Sequence, residues 1–389
     1  MMSRRYGMIY TLSIMATCLT TLVGLRIMFS LFALSLGASA FQVGLLAATY
    51  QFFSLVVAIP AGMLGDRYGA RWPLVGSAVL GVLGLLVPYF LPSVPMLFLG
   101  MALCGIWAVV NLILTQSLIG AFSTKETLAQ AFSNFSLVSS CSFLVGGPLA
   151  GFAIDAVGHE LAFLVLVPLA GLSLLLALFG RGLPGAKRKQ VARGDLRSLL
   201  TDRRLWWVLL LSGSVQLAGD MFPFYVPIYG HSVGLSASFV GIVVGAAYAA
   251  SFAVRIWLQA LVNRLGEEPL LAWSLAVAGA AMAMVPLFSS PAALVGVALV
   301  FGAGIAVGHP LTSMLMYRNS PPGREGEVMG LRATGNGVLR VSAPPAMGGL
   351  AALAGLPVVF VTTAVILGSV AVFIGSRQKH RRRTPGASV

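Results

Sequence analysis

The chain has 389 residues, 58% hydrophobic and 9% charged, with a formal net charge of +14 and a mean hydropathy of +0.92. A soluble domain carries about 25% charged residues, so this composition excludes a water-soluble globule and makes lipid the solvent. The basic excess would suit nucleic acid, but its placement along the chain assigns it a different neighbour.

A membrane-crossing helix needs about 20 mostly apolar residues, and about twelve such runs are present. They cover 8–36, 41–63, 73–91, 95–118, 127–151, 160–179, 205–229, 237–259, 270–288, 292–316, 327–352 and 356–376. The first run follows Arg4 and Arg5 and is longer than the roughly 7–15 residues of a signal-peptide core, so it reads as the first span. Segments of about ten alternating residues, the mark of a membrane β-barrel, are missing, which makes the chain all-α. Cys18, Cys104 and Cys141 all fall inside apolar runs, and no disulfide is expected.

With the N-terminus inside, all but four of the 25 lysines and arginines fall in cytoplasmic loops, the middle stretch or the tail. That is the positive-inside pattern. The charge therefore faces anionic headgroups of the bilayer, and no nucleic-acid partner is expected. The stretch "GRGLPGAKRKQVARGDLRSLLTDRR", 180–204, is the longest polar one. It divides the chain into a first bundle of six helices (1–180), a basic linker (181–204), a second bundle of six (205–376) and a basic tail (377–389).

The two halves repeat each other. A constant offset of 197 pairs Gly44 with Gly241, Arg67 with Arg264, Gly69 with Gly266, Ser77 with Ser274 and Gly105 with Gly302. The same offset pairs Thr115 with Thr312, Pro148 with Pro345, Gly158 with Gly355 and Phe163 with Phe360. Two parallel six-helix repeats imply alternating access to a cavity at the repeat interface.

After the second span comes "GMLGDRYGARWPL", 62–74. It resembles motif A of the major facilitator superfamily, with Gly62, Leu64, Asp66, Arg67, Gly69, Arg71 and Leu74 in place and Ala70 replacing a basic position. Gly62 is read as allowing close helix approach and Gly69 as the turn into the third span. The fifth span carries "GGPLAG", 146–151. This is similar to motif C of the family's proton-coupled antiporters through Gly147, Pro148 and Gly151, with Phe143 and Phe152 replacing its outer glycines. Motif B departs: Met101 stands where many relatives have an arginine tied to proton handling. The resemblance covers the whole chain. It implies an all-α membrane protein with the major facilitator fold: two pseudo-symmetric six-helix bundles of about twelve transmembrane helices. It also implies a bacterial cytoplasmic (inner) membrane location, cytoplasmic termini and a monomer.

Charges at membrane depth cost about 2.5–3.5 kcal/mol each on insertion scales and face a bundle interior or water. Arg332, Asn336 and Arg340 share one face of the eleventh span over about 12 Å, with Arg332 shallow and Arg340 deep. The resemblance implies that Asp66 pairs with Arg332 as a cytoplasmic gate. Arg340 reads as a substrate contact or as half of an internal ion pair. Asp220, in the seventh span beside "MFPFYVPIY" and its Tyr225, is the one carboxylate clearly inside a span. A poorly hydrated carboxylate suits proton coupling, and Arg26 is the candidate partner, since the first and seventh spans are repeat equivalents. Arg255 either snorkels to headgroups or lines the inner vestibule. His309, the one histidine within a span, and Asn111 with Gln116 in the fourth span read either as cavity residues or as packing and interhelical hydrogen bonds.

No nucleotide-binding loop, metal cluster or paired nucleophile and base is present, so no enzyme, cofactor or metal is expected. The expectation is a secondary active transporter exporting a small anionic or zwitterionic solute in exchange for protons. An importer or exchanger of organic anions is the alternative, and a non-transporting sensor on the same fold a further one.

Overall fold

A computed structural model describes residues 4–124, 127–180, 202–321 and 325–383. The first half holds α1 (Arg4–Ser35), α2 (Ala40–Tyr68), α3 (Arg71–Phe90), α4 (Val94–Phe122) and α5 (Leu128–Phe179). The second holds α6 (Arg203–Ser232), α7 (Ala237–Ile256), α8 (Leu258–Leu265), α9 (Glu267–Met284), α10 (Pro291–Ile305), α11 (Gly308–Arg318), α12 (Glu325–Ala354) and α13 (Pro357–Arg383). Three places depart from one helix per span, one of them the turn at Trp257 that ends α7 inside the expected eighth span. Gly158, at φ 81° and ψ 171°, breaks α5 into two legs, the expected fifth and sixth spans. The expected tenth span is divided into α10 and α11 around Ala306 and Val307.

Helix starts follow local chemistry. Ser39 accepts from the Gln42 amide, and the Gln42 side chain accepts from the Ser39 amide, a reciprocal capping box opening α2. Ser290 accepts from the Ala293 amide at 3.4 Å, with Pro291 in the first turn of α10. The ends are equally orderly. Six glycines have positive φ among the described residues, at 37, 69, 158, 234, 266 and 355. They form three pairs at the 197-residue offset, so the repeat seen in sequence is a repeat of backbone conformation.

The chain forms two compact units. Unit 1 comprises Met1–Gln190, Val226–Gly245 and Pro344–Gly349. Its helices meet through small residues. A β-carbon on Gly105 would strike the carbonyl of Tyr50, one on Gly84 would lie 2.9 Å from the Gly100 carbonyl, and Gly81 lies beneath the Trp107 ring. Without lipid-solvated hydrophobic drive between helices, such close approach supplies the packing. Gly147 and Gly151 of α5 seat the start of α7, against Gly241 and Ala237, and Gly44 of α2 seats Pro344 of α12. These two contacts are repeat equivalents: 44 and 344 correspond to 241 and 147. Asp155 tightens the first of them by accepting the Ala237 and Ser238 amides at 3.0 and 2.8 Å, capping α7 from another helix.

Unit 2 comprises Val191–Tyr225, Ala246–Ala343 and Leu350–Val389. It repeats the same crossings: Gly302 lies against the Ala247 carbonyl as Gly105 does against Tyr50. At the crossing equivalent to Gly81 and Trp107 both sides are small, and Gly304 faces Ala278. Most of the expected linker, 181–201, lies outside the described residues, as do 384–389 of the expected tail.

Candidate functional site

Unit 2 contains a polar ladder in otherwise apolar helices. On α6, Ser212, Gln216 and Asp220 recur every four residues; on α12, Arg332, Asn336 and Arg340 do the same. Residues four apart lie on one helix face, so each helix presents a single polar stripe about 12 Å long.

The stripes meet at both ends. At the first rung, Arg332 Nε donates to Ser212 Oγ at 2.7 Å and its Nη2 to Thr312 Oγ1 at 3.2 Å. Asn336 Nδ2 donates to the same Ser212 oxygen at 3.1 Å. Ser212 is fully buried, so its hydroxyl serves both α12 residues out of contact with water. At the last rung, Arg340 Nε lies 3.3 Å from Asp220 Oδ2. Gln216 Nε2 donates to that same oxygen at 2.6 Å from one turn away on α6. The two partners differ in accessibility: Gln216 is buried, whereas the Arg340 side chain is 43% exposed against 14% for Asp220.

His309 of α11 stands beside the ladder, its Nε2 3.4 Å from where a β-carbon on Gly219 would be. It feels the charges of Arg340, Asp220, Arg332 and Arg255. Arg255 has a specific task. Pro310 has no N–H to give the carbonyl four residues back, which is that of Ala306. Arg255 Nε donates to that carbonyl at 3.2 Å, so it caps the break between α10 and α11. Arg255→Leu removes this donor and is expected to cost about 1–3 kcal/mol, read as a lower thermal unfolding midpoint. Arg255→Lys, which keeps a donor, should lose less; equal midpoints for wild type and Arg255→Leu would refute the capping role.

The other sequence candidates lie in unit 1 or in the core. The Arg26 guanidinium sits 5.2 Å from the Tyr50 ring centre, α1 against α2. The carboxylate's ion pair in unit 2 is with Arg340, on the helix where the sequence reading left substrate contact and ion pair both open. Asn111 is buried and Gln116 exposed. Tyr225 is fully buried, its ring 5.1 Å from that of Phe224.

In the motif A segment, Gly69 makes the turn between α2 and α3 with φ 76°. Gly62 requires a correction: among the described residues no atom lies within 4 Å of where its β-carbon would be, and the close approach is at Gly65, beneath Leu114. Its helix position is three residues off because the close crossing falls one turn later on α2. Arg67 is exposed, its guanidinium 5.1 Å from the Tyr68 ring centre. Arg71 Nη2 donates to the Leu178 carbonyl at 2.5 Å, and the Tyr10 hydroxyl donates to that of Leu176. Both satisfy carbonyls left open at the end of α5, where a cation also complements the helix dipole. The side chain of Asp66 lies outside the described residues, and with it the expected pair to Arg332. In the motif C segment, Gly147, Pro148 and Gly151 form the seat for α7.

Ser212, Gln216 and Thr312 were not candidates from sequence, since serine, threonine and glutamine are unremarkable inside a span. The four-residue spacing that singled out α12 is repeated on α6 and was the available signal.

These helices, crossings and repeated turns define an all-α integral membrane protein built from two six-helix repeats. Residues 9–340 and 232–388 match the Major Facilitator Superfamily. The chain belongs to that family and is an MFS transporter. An uncharacterised MFS-type transporter of Methanocaldococcus jannaschii is 19% identical over 328 residues, 82% of this chain and 85% of that one. The drug efflux pump JefA of Mycobacterium tuberculosis is 28% identical over 134 residues, 34% of this chain and 26% of the pump. A solved structure of a bacterial homologue of the human lysosomal transporter Spinster, inward-facing and occupied, shares the fold with a TM-score of 0.75. It is 14% identical, and the match covers 97% of each chain.

Proposed function

We propose that this protein is a secondary active transporter that exports a small anionic or zwitterionic organic solute in exchange for protons, by alternating access. The reading is carried by the Asp220–Arg340 pair: one carboxylate and one half-exposed guanidinium at the end of a polar ladder in apolar helices. Ionisable groups at span depth are costly and mark solute and proton pathways. Asp220 holds a proton and the solute in turn: when the proton leaves, the solute enters, and its anionic group meets the planar fork of Arg340. Arg332, Asn336 and His309 line the same stripe. Export is the direction of the efflux pump JefA, to which part of the chain is similar. The protein sits as a monomer in a bacterial cytoplasmic membrane, with both termini and the basic loops on the inner side against anionic headgroups.

The test is Asp220→Asn in proteoliposomes, with a panel of organic acids under an imposed pH gradient. The variant should lose pH-driven accumulation while keeping exchange at equal pH. Accumulation at the wild-type level would remove Asp220 from coupling. Proton-independent exchange or import of organic anions is the second reading. It is favoured by the charge balance of unit 2, whose spans carry Arg255, Arg332 and Arg340 against the single carboxylate Asp220 among the described residues.

A further inference from the structure

We infer that the solute is a zwitterion, carrying both an ammonium and a carboxylate, which enters the Asp220–Arg340 pair and replaces each residue's partner with its own. The inference rests on the transport reading above and narrows its substrate class.

The argument is one of charge conservation at span depth. In the structure Asp220 and Arg340 neutralise each other, with Nε 3.3 Å from Oδ2. A solute that is only an anion, arriving at Arg340, leaves Asp220 without its cation. A solute that is only a cation, arriving at Asp220, leaves Arg340 without its anion. Because proton and solute occupy the site in turn, either leaves one charge of the pair uncompensated at span depth, which is unfavourable, most of all for Asp220 with its side chain 14% exposed. A zwitterion leaves none. Its ammonium takes the place of Arg340 on Asp220, and its carboxylate takes the place of Asp220 on Arg340.

The geometry supports each half of this exchange. Arg340 meets Asp220 through Nε as an ion pair, and its guanidinium makes no hydrogen bond among the described residues, so the two-point geometry that suits a carboxylate is not already taken up. The other arginines of unit 2's spans are committed: Arg332 donates to Ser212 and Thr312, and Arg255 to the Ala306 carbonyl. Asp220 is held independently of Arg340, because buried Gln216 donates to it at 2.6 Å from its own helix. When Arg340 leaves, the carboxylate therefore stays aimed at the same point. A glutamine amide also suits the protonated carboxyl, since on turning over its oxygen accepts from the carboxyl O–H. Ammonium and proton then compete for one carboxylate, which is the requirement for exchanging one against the other.

Three probes of one shape separate the classes: phenylalanine, phenylacetate and phenethylamine. Each is titrated into the purified protein while the thermal unfolding midpoint is followed, since a ligand of the folded state raises it. Phenylalanine should stabilise, with a dissociation constant at least about tenfold below those of the other two. Arg340→Gln should abolish its preference over phenethylamine, and Asp220→Asn its preference over phenylacetate. The aliphatic set of leucine, isocaproate and isoamylamine repeats the comparison with a different body. Stabilisation by the acid or the amine equal to that by the amino acid, in both sets, overturns the inference, and so does stabilisation by none of the six. If the acids bind best while Asp220→Asn still loses pH-driven accumulation, the zwitterion falls and the coupling reading stands. If Asp220→Asn accumulates solute normally, the coupling reading has failed on its own.

Discussion

Arg340→Leu is expected to destabilise the protein by about 2–3 kcal/mol and to abolish transport, and adding Asp220→Leu should restore most of the stability but none of the transport. The single substitution strands a carboxylate whose side chain is 14% exposed. For a fully buried pair the loss is about 3–5 kcal/mol. Here it is smaller, because the Arg340 side chain is 43% exposed and Gln216 still donates to Asp220. The double substitution removes both charges, and replacing a paired set by apolar side chains is often neutral. Thermal unfolding of the four proteins gives the coupling energy directly, as the departure from additivity. An unchanged midpoint for Arg340→Leu would show that the contact carries no stability. A double variant as unstable as the single would show that shape rather than charge was lost.

Much of the fold was legible because it rests on local rules. A run of about 20 apolar residues is a span whatever surrounds it, and the constant offset of 197 needed no structure. The offset then proved to be backbone geometry, with Gly37, Gly69 and Gly158 at positive φ and Gly234, Gly266 and Gly355 following. The break at 306–307 was less accessible, since the run around Pro310 is long and apolar enough to read as one span and the freed carbonyl is met by Arg255 from another helix. For the site, the stripe on α12 was readable because arginines are conspicuous in oil. The matching stripe on α6 was not, because Ser212 and Gln216 draw no notice until a partner is known. Partner choice is also a matter of helix rotation. Depth along a span is readable to within a turn, which pointed to Arg26 as a partner for Asp220, whereas within unit 2 it is the face of α12 that brings Arg340 to it. Gly62 illustrates the same limit, since the motif marks a helix crossing but the crossing itself lies at Gly65.

Gly302→Ala should be among the most damaging single-methyl additions in the chain, and Gly105→Ala should match it in the other half. A β-carbon on Gly302 would meet the carbonyl oxygen, carbonyl carbon and Cα of Ala247, all backbone, and one on Gly105 would meet the same atoms of Tyr50. Neither neighbour is a side chain that can turn away, so α7 must move off α10, or α2 off α4. Overpacking of this kind costs about 1–3 kcal/mol and more where backbone must shift. A second loss comes with it on the α4 side, since Ser54 Oγ donates to the Gly105 carbonyl at 2.9 Å and that bond requires the close approach. Gly296→Ala and Gly120→Ala are the controls, because no atom lies within 4 Å of where their β-carbons would be. On helix propensity alone, alanine at those two positions gains up to about 1 kcal/mol. The measurement is the unfolding midpoint of the purified protein, followed by loss of the monodisperse chromatographic peak on heating. Gly302→Ala and Gly105→Ala should fall well below wild type while both controls stay at or above it. Wild-type midpoints at the two crossings would mean that the helices are not in backbone contact there. A fall at only one would mean that the crossing is built in one repeat and merely echoed in the sequence of the other.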